Sequence, residues 1–191
     1  MKLKKANAVL GLLSVPFLLL HMGYLIYAYL SLDFSQDLKT WTAVPFMVLV
    51  CLHAVCGMLT VFIRKDSARP DLYPGLNRRT ILQRVSAALM LPTLILHINT
   101  FSLMQSASAG GQWFFFALLL FSQPLFYAMV LSHAAVSFSR GLITLGWLSS
   151  PKAQKTVDLI SYFLFGALFL LACYATIRTE LAMFLPGGGH P

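Results

Sequence analysis

Charged residues are scarce in this sequence. Only 10% of its 191 residues are charged and 58% are hydrophobic, whereas a soluble domain carries about 25% charged residues. So few charges cannot cover the surface of a water-soluble fold of this length. The composition therefore excludes an ordinary soluble protein and indicates a chain whose solvent is lipid.

Cysteine is also scarce. The three cysteines, Cys51, Cys56 and Cys173, lie inside apolar runs, their number is odd, and no CxxC pair occurs. This pattern argues against a disulfide framework or a zinc site and favours buried structural thiols.

Long apolar runs are what the sequence has instead. A bilayer core of about 30 Å needs roughly 20 apolar residues, and five stretches meet this requirement: 8–31, 41–63, 80–104, 113–139 and 157–180. The first follows lysines but lacks a cleavage site, so we expect a retained helix rather than a signal peptide. The pattern predicts an all-α, five-helix integral membrane bundle, a single transmembrane domain over 1–185, and a flexible tail at 186–191. Residues 64–79 are predicted to be a loop, and Ser150 or Thr156 to cap the fifth helix.

Basic residues lie mostly on one side of the predicted spans. Twelve of the 14 belong to the N-terminal segment, to the second and fourth connections, or to the adjoining start of span three: Lys2, Lys4, Lys5, Arg64, Lys65, Arg69, Arg78, Arg79, Arg84, Arg140, Lys152 and Lys155. Only Lys39 and Arg178 lie on the other side. The positive-inside rule then predicts a multi-pass protein of the inner (cytoplasmic) cell membrane, with its N-terminus inside and its C-terminus outside. We call these sides inner and outer.

Four of the five histidines fall in spans one to four, one in each span. An ionisable group within the hydrocarbon is costly and is a functional candidate. Counted from the basic ends at helical rise, His21 and His97 lie about 24 and 20 Å from the inner edge, and His53 and His133 about 16 and 10 Å. We call them the outer and inner pairs. His190, in the glycine-rich tail, is not expected to be a ligand.

Each pair joins alternate helices, which face each other across an up-down bundle. Two facing imidazoles are what a six-coordinate b-type haem requires. We therefore predict two haems, with His21 and His97 as axial iron ligands of the outer one and His53 and His133 of the inner one. The outer ligands end two similar segments, 15–21 and 91–97, each with proline five residues before histidine. Hydrogen bonding without metal is the alternative, whereas zinc or copper would need a carboxylate or thiolate partner.

Three stretches resemble a known family. They are the HAVCG segment at 53–57, the LQRVS segment at 82–86 followed 11 residues later by His97, and the run from His133 through Gly141-Leu142 to 150–154. Over roughly residues 10–180 the chain resembles the cytochrome b membrane anchor, of the two-haem single-chain type, of succinate dehydrogenase and fumarate reductase.

The resemblance implies the same histidine pairing and adds further expectations. Gln83, Arg84 and Ser86 would meet the propionates of the inner haem, although Arg84 is equally interpretable as an interfacial arginine. A flavoprotein subunit and an iron–sulfur subunit would dock on the cytoplasmic face, and the chain would exchange electrons with membrane quinone, menaquinone rather than ubiquinone. It would not act on the dicarboxylate itself, and no nucleic acid partner is implied.

The acidic residues differ from those of the family at one position and give little indication of where a quinone would bind. Some relatives carry glutamate two residues before the fourth-helix histidine, where this chain has Leu131. Asp158 and Glu180 are predicted to be helix caps. Asp33 and Asp37 are candidate proton acceptors for an outer quinone site, or belong to a solvated loop.

Two other functions stay open on the sequence alone. One is a dihaem cytochrome b of a hydrogenase or formate dehydrogenase, although these generally place two ligands on one helix. The other is a haem-free membrane anchor or a transporter, and the absence of a broken-helix pair argues against a transporter.

Overall fold

The computed structural model of the chain describes residues 2–64 and 74–184, and all regular structure in these ranges is helical. The five helices are α1 (Lys2–Ser31), α2 (Gln36–Arg64), α3 (Pro74–Ala109), α4 (Trp113–Leu145) and α5 (Pro151–Phe184). Each is long and apolar enough to cross a membrane. The predicted all-α, multi-pass architecture is thereby confirmed, and each predicted span lies within one helix. The predicted tail at 186–191 lies outside the described residues.

The helix ends differ in places from the sequence prediction. The loop predicted over 64–79 is wrong at both ends, because α2 includes Arg64 and α3 already begins at Pro74; residues 65–73 lie outside the described residues. Proline suits the first helical position, where its missing N–H would be unpaired anyway. Of the two cap candidates, Ser150 immediately precedes α5 and its Oγ accepts a weak 3.5 Å hydrogen bond from the N–H of Ala153. Thr156 lies inside the helix and caps nothing.

Two connections are fixed by local interactions. The hydroxyl of Tyr24 donates to the carbonyl of Ser35 at 2.8 Å and accepts from its N–H at 2.6 Å, which holds the α1–α2 turn. At the other side of the bundle, α4 ends in Gly146, whose φ of 82° is left-handed. Glycine adopts this conformation without a Cβ penalty, which allows the chain to leave the helix abruptly.

The bundle has a tight part and a looser part. Helices α1, α4 and α5 share the main apolar cluster, whose buried members are Leu18, Met22, Ile26, Leu131, Ala135, Phe165, Ala172 and Ala175. In the described residues, α2 packs closely only against α1, whereas α3 packs against α4 and more lightly against α5. At the α1–α4 contact, a Cβ on Gly141 would lie 3.0 Å from Cγ of Leu12. The seam between α1 and α4 is therefore central, with α2 and α3 attached to it.

Candidate haem-binding sites

The inner pair is brought together by α2 and α4, two helices that do not pack closely. The ring centroids of His53 and His133 are 6.2 Å apart, with an interplanar angle of 73°. Nε2 of His133 is buried and has no hydrogen-bond partner. An unpaired buried nitrogen costs free energy unless a ligand satisfies it. The distance between the two rings and the unpaired nitrogen therefore make the inner pair a candidate metal-binding site.

The opposite edge of each inner ring is engaged by hydrogen bonds. Nδ1 of His53 lies 3.0 Å from the backbone oxygen of Asn7. Nδ1 of His133 lies 3.1 Å from the backbone oxygen of Gln83 and 3.1 Å from Oγ of Ser86. A carbonyl oxygen only accepts, so Nδ1 carries the hydrogen in both rings. The neutral rings consequently keep the lone pair on Nε2, the atom left for a metal.

The outer histidines are held in the same way by side chains. Nδ1 of His21 lies 3.2 Å from Oγ1 of Thr42, whose own hydroxyl hydrogen is donated to a backbone carbonyl of α2. Nδ1 of His97 lies 2.6 Å from Oε1 of Gln123, whose amide nitrogen donates to Oγ1 of Thr100. Both oxygens therefore accept from Nδ1–H. All four intramembrane histidines share one tautomer, with Nε2 as the available ligand atom.

The outer pair is less closely assembled than the inner pair. In the described residues the ring contacts of its members are with aromatic side chains: His97 stacks on Phe126 at 4.4 Å, and His21 lies 6.3 Å from Phe46. In the described part of the chain each outer imidazole thus packs against aromatic rings, and no ring contact joins His21 to His97.

The surroundings of the inner pair contain one close approach and two more unpaired polar atoms. A Cβ on Gly11 would lie 2.8 Å from Cε1 of His53, closer than real Cβ contacts allow. Oδ1 of Asn7 and Oγ of Ser137, which is one turn beyond His133, are buried without a partner. With Nε2 of His133, three unsatisfied polar atoms border this pair. Such atoms are rare in a membrane interior and mark the place where a polar ligand would bind.

The residues predicted to meet the inner haem's propionates take different positions. Gln83 and Ser86 contact His133, whereas Arg84 is exposed. The half-buried guanidinium of Arg140 donates to Oε1 of Gln83 at 3.0 Å. Sequence reasoning missed Arg140 as a site residue, although its spacing of seven residues from His133 placed both on one helix face. The propionate roles of Gln83, Arg84 and Ser86 stay predictions.

The acids of α5 are buried, and their prediction as helix caps is wrong. Asp158 accepts a 2.8 Å hydrogen bond from the guanidinium of Arg79 and a 2.6 Å hydrogen bond from the hydroxyl of Ser139. It therefore joins α3, α4 and α5 at the inner end of the bundle. Glu180, near the outer end, is only 2% exposed, and its Oε2 has no hydrogen-bond partner.

The two candidate quinone-site acids, Asp33 and Asp37, are exposed at the outer side. Asp33 lies in the α1–α2 turn, and Asp37 is in the first turn of α2, where a carboxylate interacts favourably with the helix dipole. Each therefore has a structural role available besides proton transfer. Their assignment to a quinone site stays a prediction.

Each candidate site rests on two imidazoles. Residues 2–64 and 74–184 contain no group of three or more His, Cys, Asp or Glu side chains placed to hold a metal ion. Compared with family models, curated proteins and solved structures, the chain matches none of them. Function is therefore argued from the sites themselves.

Proposed function

We propose that the chain is the dihaem cytochrome b membrane anchor of a succinate:quinone or quinol:fumarate oxidoreductase. One observation carries the proposal. Four histidines on four successive membrane helices each commit Nδ1 to an oxygen acceptor and keep Nε2 available. Metal-bound histidines almost always donate their second ring nitrogen in this way, which fixes the ring and raises its basicity as a ligand.

The spacing of the inner pair fits a shared metal ion. A metal ion held by both imidazoles would allow ring centroids up to about 6 Å apart, because each metal–nitrogen bond is about 2 Å and each ring centre lies about 1 Å beyond its nitrogen. The centroids of His53 and His133 are 6.2 Å apart. The unpaired Nε2 of His133 supports the same interpretation. These residues fit an axial ligand pair.

The polar groups around the inner pair fit the edge of a haem. A haem carries two propionates, and a guanidinium binds a carboxylate more strongly than a neutral donor does. Arg140 approaches Gln83, whose backbone oxygen holds His133. Asn7 and Ser137 add two unsatisfied side chains. These residues would hold the propionate end, while Gly11 leaves room for the ring of His53.

Haem, when bound, would supply a one-electron iron couple at each of two depths in the membrane. The chain's own contribution is to hold the four imidazoles, to keep water from them and to set their hydrogen bonds. Electrons would pass between an iron–sulfur subunit and membrane quinone, and the resemblance favours menaquinone. The basic ends of the helices support an N-in, C-out orientation in the cytoplasmic membrane, with the flavoprotein and iron–sulfur subunits on the inner face.

A spectrum separates this proposal from a haem-free anchor. The purified complex should give a reduced-minus-oxidised b-type spectrum and about two haems per chain by pyridine haemochrome, as two bis-imidazole sites require. Co-purification of a flavoprotein and an iron–sulfur subunit distinguishes this complex from a hydrogenase or formate dehydrogenase. A freshly extracted complex without a Soret band would overturn the proposal.

A further inference from the structure

Glu180 is a buried acid on the one helix without a histidine. It lies one turn from the outer end of α5, is 2% exposed, and leaves Oε2 without a hydrogen-bond partner. Burying a carboxyl group costs several kcal/mol unless it is paired, whereas an apolar residue at this position would cost nothing. A buried, incompletely paired acid therefore calls for a chemical explanation.

Polar contacts from α5 to α1 and α4 lie within about one helical turn of this acid along α5. Thr179 donates to the backbone oxygen of Tyr29 at 2.8 Å, which ties α5 to α1. The hydroxyl of Tyr127 lies 3.0 Å from Oγ1 of Thr176, one helical turn inward from Glu180. Thr176 and Glu180 are four residues apart, so they lie on the same face of α5. Glu180 is thus the acid at the outer end of a polar cluster that extends inward along α5.

The cluster reaches the outer histidine pair. The ring of Tyr127 lies 6.0 Å from the ring of His97, in an edge-to-face contact. Tyr127 therefore borders the candidate iron ligand on one side and the Thr176 hydroxyl on the other. A redox-active molecule beside Tyr127 would be close to both an electron acceptor and a proton acceptor.

An apolar groove lies farther inward between the same two helices, α4 and α5. It has a volume of about 280 Å³ and is lined by Ala128, Leu131, Ser132, Ala135, Tyr162, Phe165, Gly166 and Phe169. Phe169, its outermost residue on α5, precedes Glu180 by 11 residues, roughly 16 Å at helical rise, and Gly166 is exposed on the membrane-spanning surface. A groove that opens to lipid, with a polar cluster farther outward on the same two helices, suits a molecule with a long apolar tail and a polar head.

We propose that Glu180 is the proton-exchanging residue of a quinone site between α4 and α5, with the isoprenoid tail in this groove. The electron partner in this inference rests on the proposed function. Oxidation of one quinol yields one quinone, two electrons and two protons. The outer haem that His21 and His97 would hold would supply the one-electron acceptor for both electrons, and the Glu180 carboxylate takes up the two protons in turn and releases each to the outer side. Quinone reduction reverses the same balance.

Glu180 suits this role better than the exposed acids of the α1–α2 turn. A carboxyl group in water exchanges its proton with solvent whether or not a quinone is present. A buried carboxyl group with an unpaired oxygen can instead hydrogen-bond a quinol hydroxyl directly, and general base catalysis requires this contact. The apolar groove lies between α4 and α5, the helix that carries Glu180, whereas Asp33 and Asp37 lie at the α1–α2 turn and the start of α2.

Labelling tests the site without reference to turnover. In the purified complex, a photoreactive azidoquinone should label peptides of α4 and α5, and excess quinone should prevent it. Dicyclohexylcarbodiimide, an apolar reagent for protonated carboxyl groups, should modify Glu180, and quinone should protect it. Gly166→Leu places a side chain in the groove, where a Cβ meets nothing within 4 Å, and should reduce the labelling. Labelling confined to the α1–α2 turn would overturn the proposal.

Kinetics test the acid itself. In Glu180→Gln we expect quinol-driven haem reduction to slow on the order of 100-fold, the scale of general base catalysis, with haem content and dithionite reduction unchanged. Asp33→Asn and Asp37→Asn test the two rival acids at the α1–α2 turn. An unchanged rate in Glu180→Gln, or a comparable loss of rate in either aspartate variant, would overturn the assignment to Glu180. A complex without haem would instead refute the proposed function. The role of Glu180 would then still be tested by whether quinone protects it from the carbodiimide.

Discussion

The ring centroids of His53 on α2 and His133 on α4 lie 6.2 Å apart, and a backbone carbonyl of another helix orients each ring. Asn7 of α1 accepts from His53, and Gln83 of α3 accepts from His133. One pair of imidazoles thus joins four helices, two of which scarcely pack against each other. A backbone oxygen accepts from each ring, and no side-chain substitution removes these two acceptors; the hydroxyl of Ser86 adds one side-chain contact to His133. Substitutions at this pair should therefore report on the ligands themselves.

Under the proposed function, the two histidine pairs should lose their haems independently. His53→Ala or His133→Ala removes a ligand of the inner pair, so we expect about one haem per chain with the spectrum of the outer haem. His21→Ala and His97→Ala should leave the inner haem. Pyridine haemochrome and low-temperature difference spectra measure both results. Retention of two haems in any of the four variants would refute its ligand assignment.

Gly11 should matter to the inner haem although it carries no side chain. In Gly11→Ala the new methyl group would lie 2.8 Å from Cε1 of His53, so the ring must rotate away from its ligand position. We expect about tenfold weaker retention of the inner haem, as for other changes that reorient a ligand. The control is Gly23→Ala on the same helix, where a Cβ meets nothing within 4 Å. Equal haem loss in both variants would contradict this explanation.

Gln123 should control the outer haem through His97. Gln123→Leu removes the oxygen that accepts from Nδ1 at 2.6 Å, and we expect retention of the outer haem to weaken by about 10- to 100-fold. Gln123→Glu keeps an acceptor and should preserve the haem while lowering its midpoint potential, because a nearby negative charge favours the oxidised iron. A redox titration distinguishes the two variants. Normal haem content in Gln123→Leu would contradict the orienting role.

The acid at the inner end of the bundle should contribute to stability. Asp158→Ala leaves Arg79 and Ser139 without their shared partner. A broken buried pair costs about 3–5 kcal/mol, but the side chain of Arg79 is 32% exposed, so we expect about 1–3 kcal/mol. Unfolding in mixed micelles measures this loss, with exposed Lys155→Ala as the control. An Asp158→Ala variant as stable as the control would show that water replaces the pair.

Two arginines near the inner pair should differ in their effect on its haem. Arg140 is half-buried and bonded to Gln83, whereas Arg84 is exposed. A positive charge stabilises reduced iron, and exposure to solvent screens this effect. Arg140→Gln should therefore lower the midpoint potential of the inner haem more than Arg84→Gln does. A larger shift in Arg84→Gln would restore Arg84 to the role that the family resemblance implies.

The helices could be predicted because membrane spans depend on local composition. Runs of about 20 apolar residues admit few structures other than a helix in lipid. The prediction failed at 74–79, where polar residues continue α3 beyond the apolar run. Proline at the start of that segment was interpreted as a loop signal, although it equally suits a first helical position.

The pairing of the histidines could be predicted from the sequence, because it depends on how deep each histidine lies in the membrane. Counting from the basic ends sorted four histidines into two pairs, and the structure brings His53 and His133 into contact. The roles of Gly11, Gln123 and Arg140 depend on which helices meet, and one sequence does not contain that information. Glu180 was interpreted as a cap because it ends an apolar run, whereas its burial results from packing against α1 and α4.

The packing of α2 against a single neighbouring helix has a consequence for biogenesis. None of its side chains between 36 and 60 is fully buried within the protein, and its close packing is with α1 alone. A newly inserted chain can therefore complete the α1, α4 and α5 core while α2 remains held on one side only. Under the proposed function, cofactor insertion is the step that fixes α2 opposite α4. Cells starved of haem should accumulate an intermediate that membrane proteases recognise by its unsecured second helix.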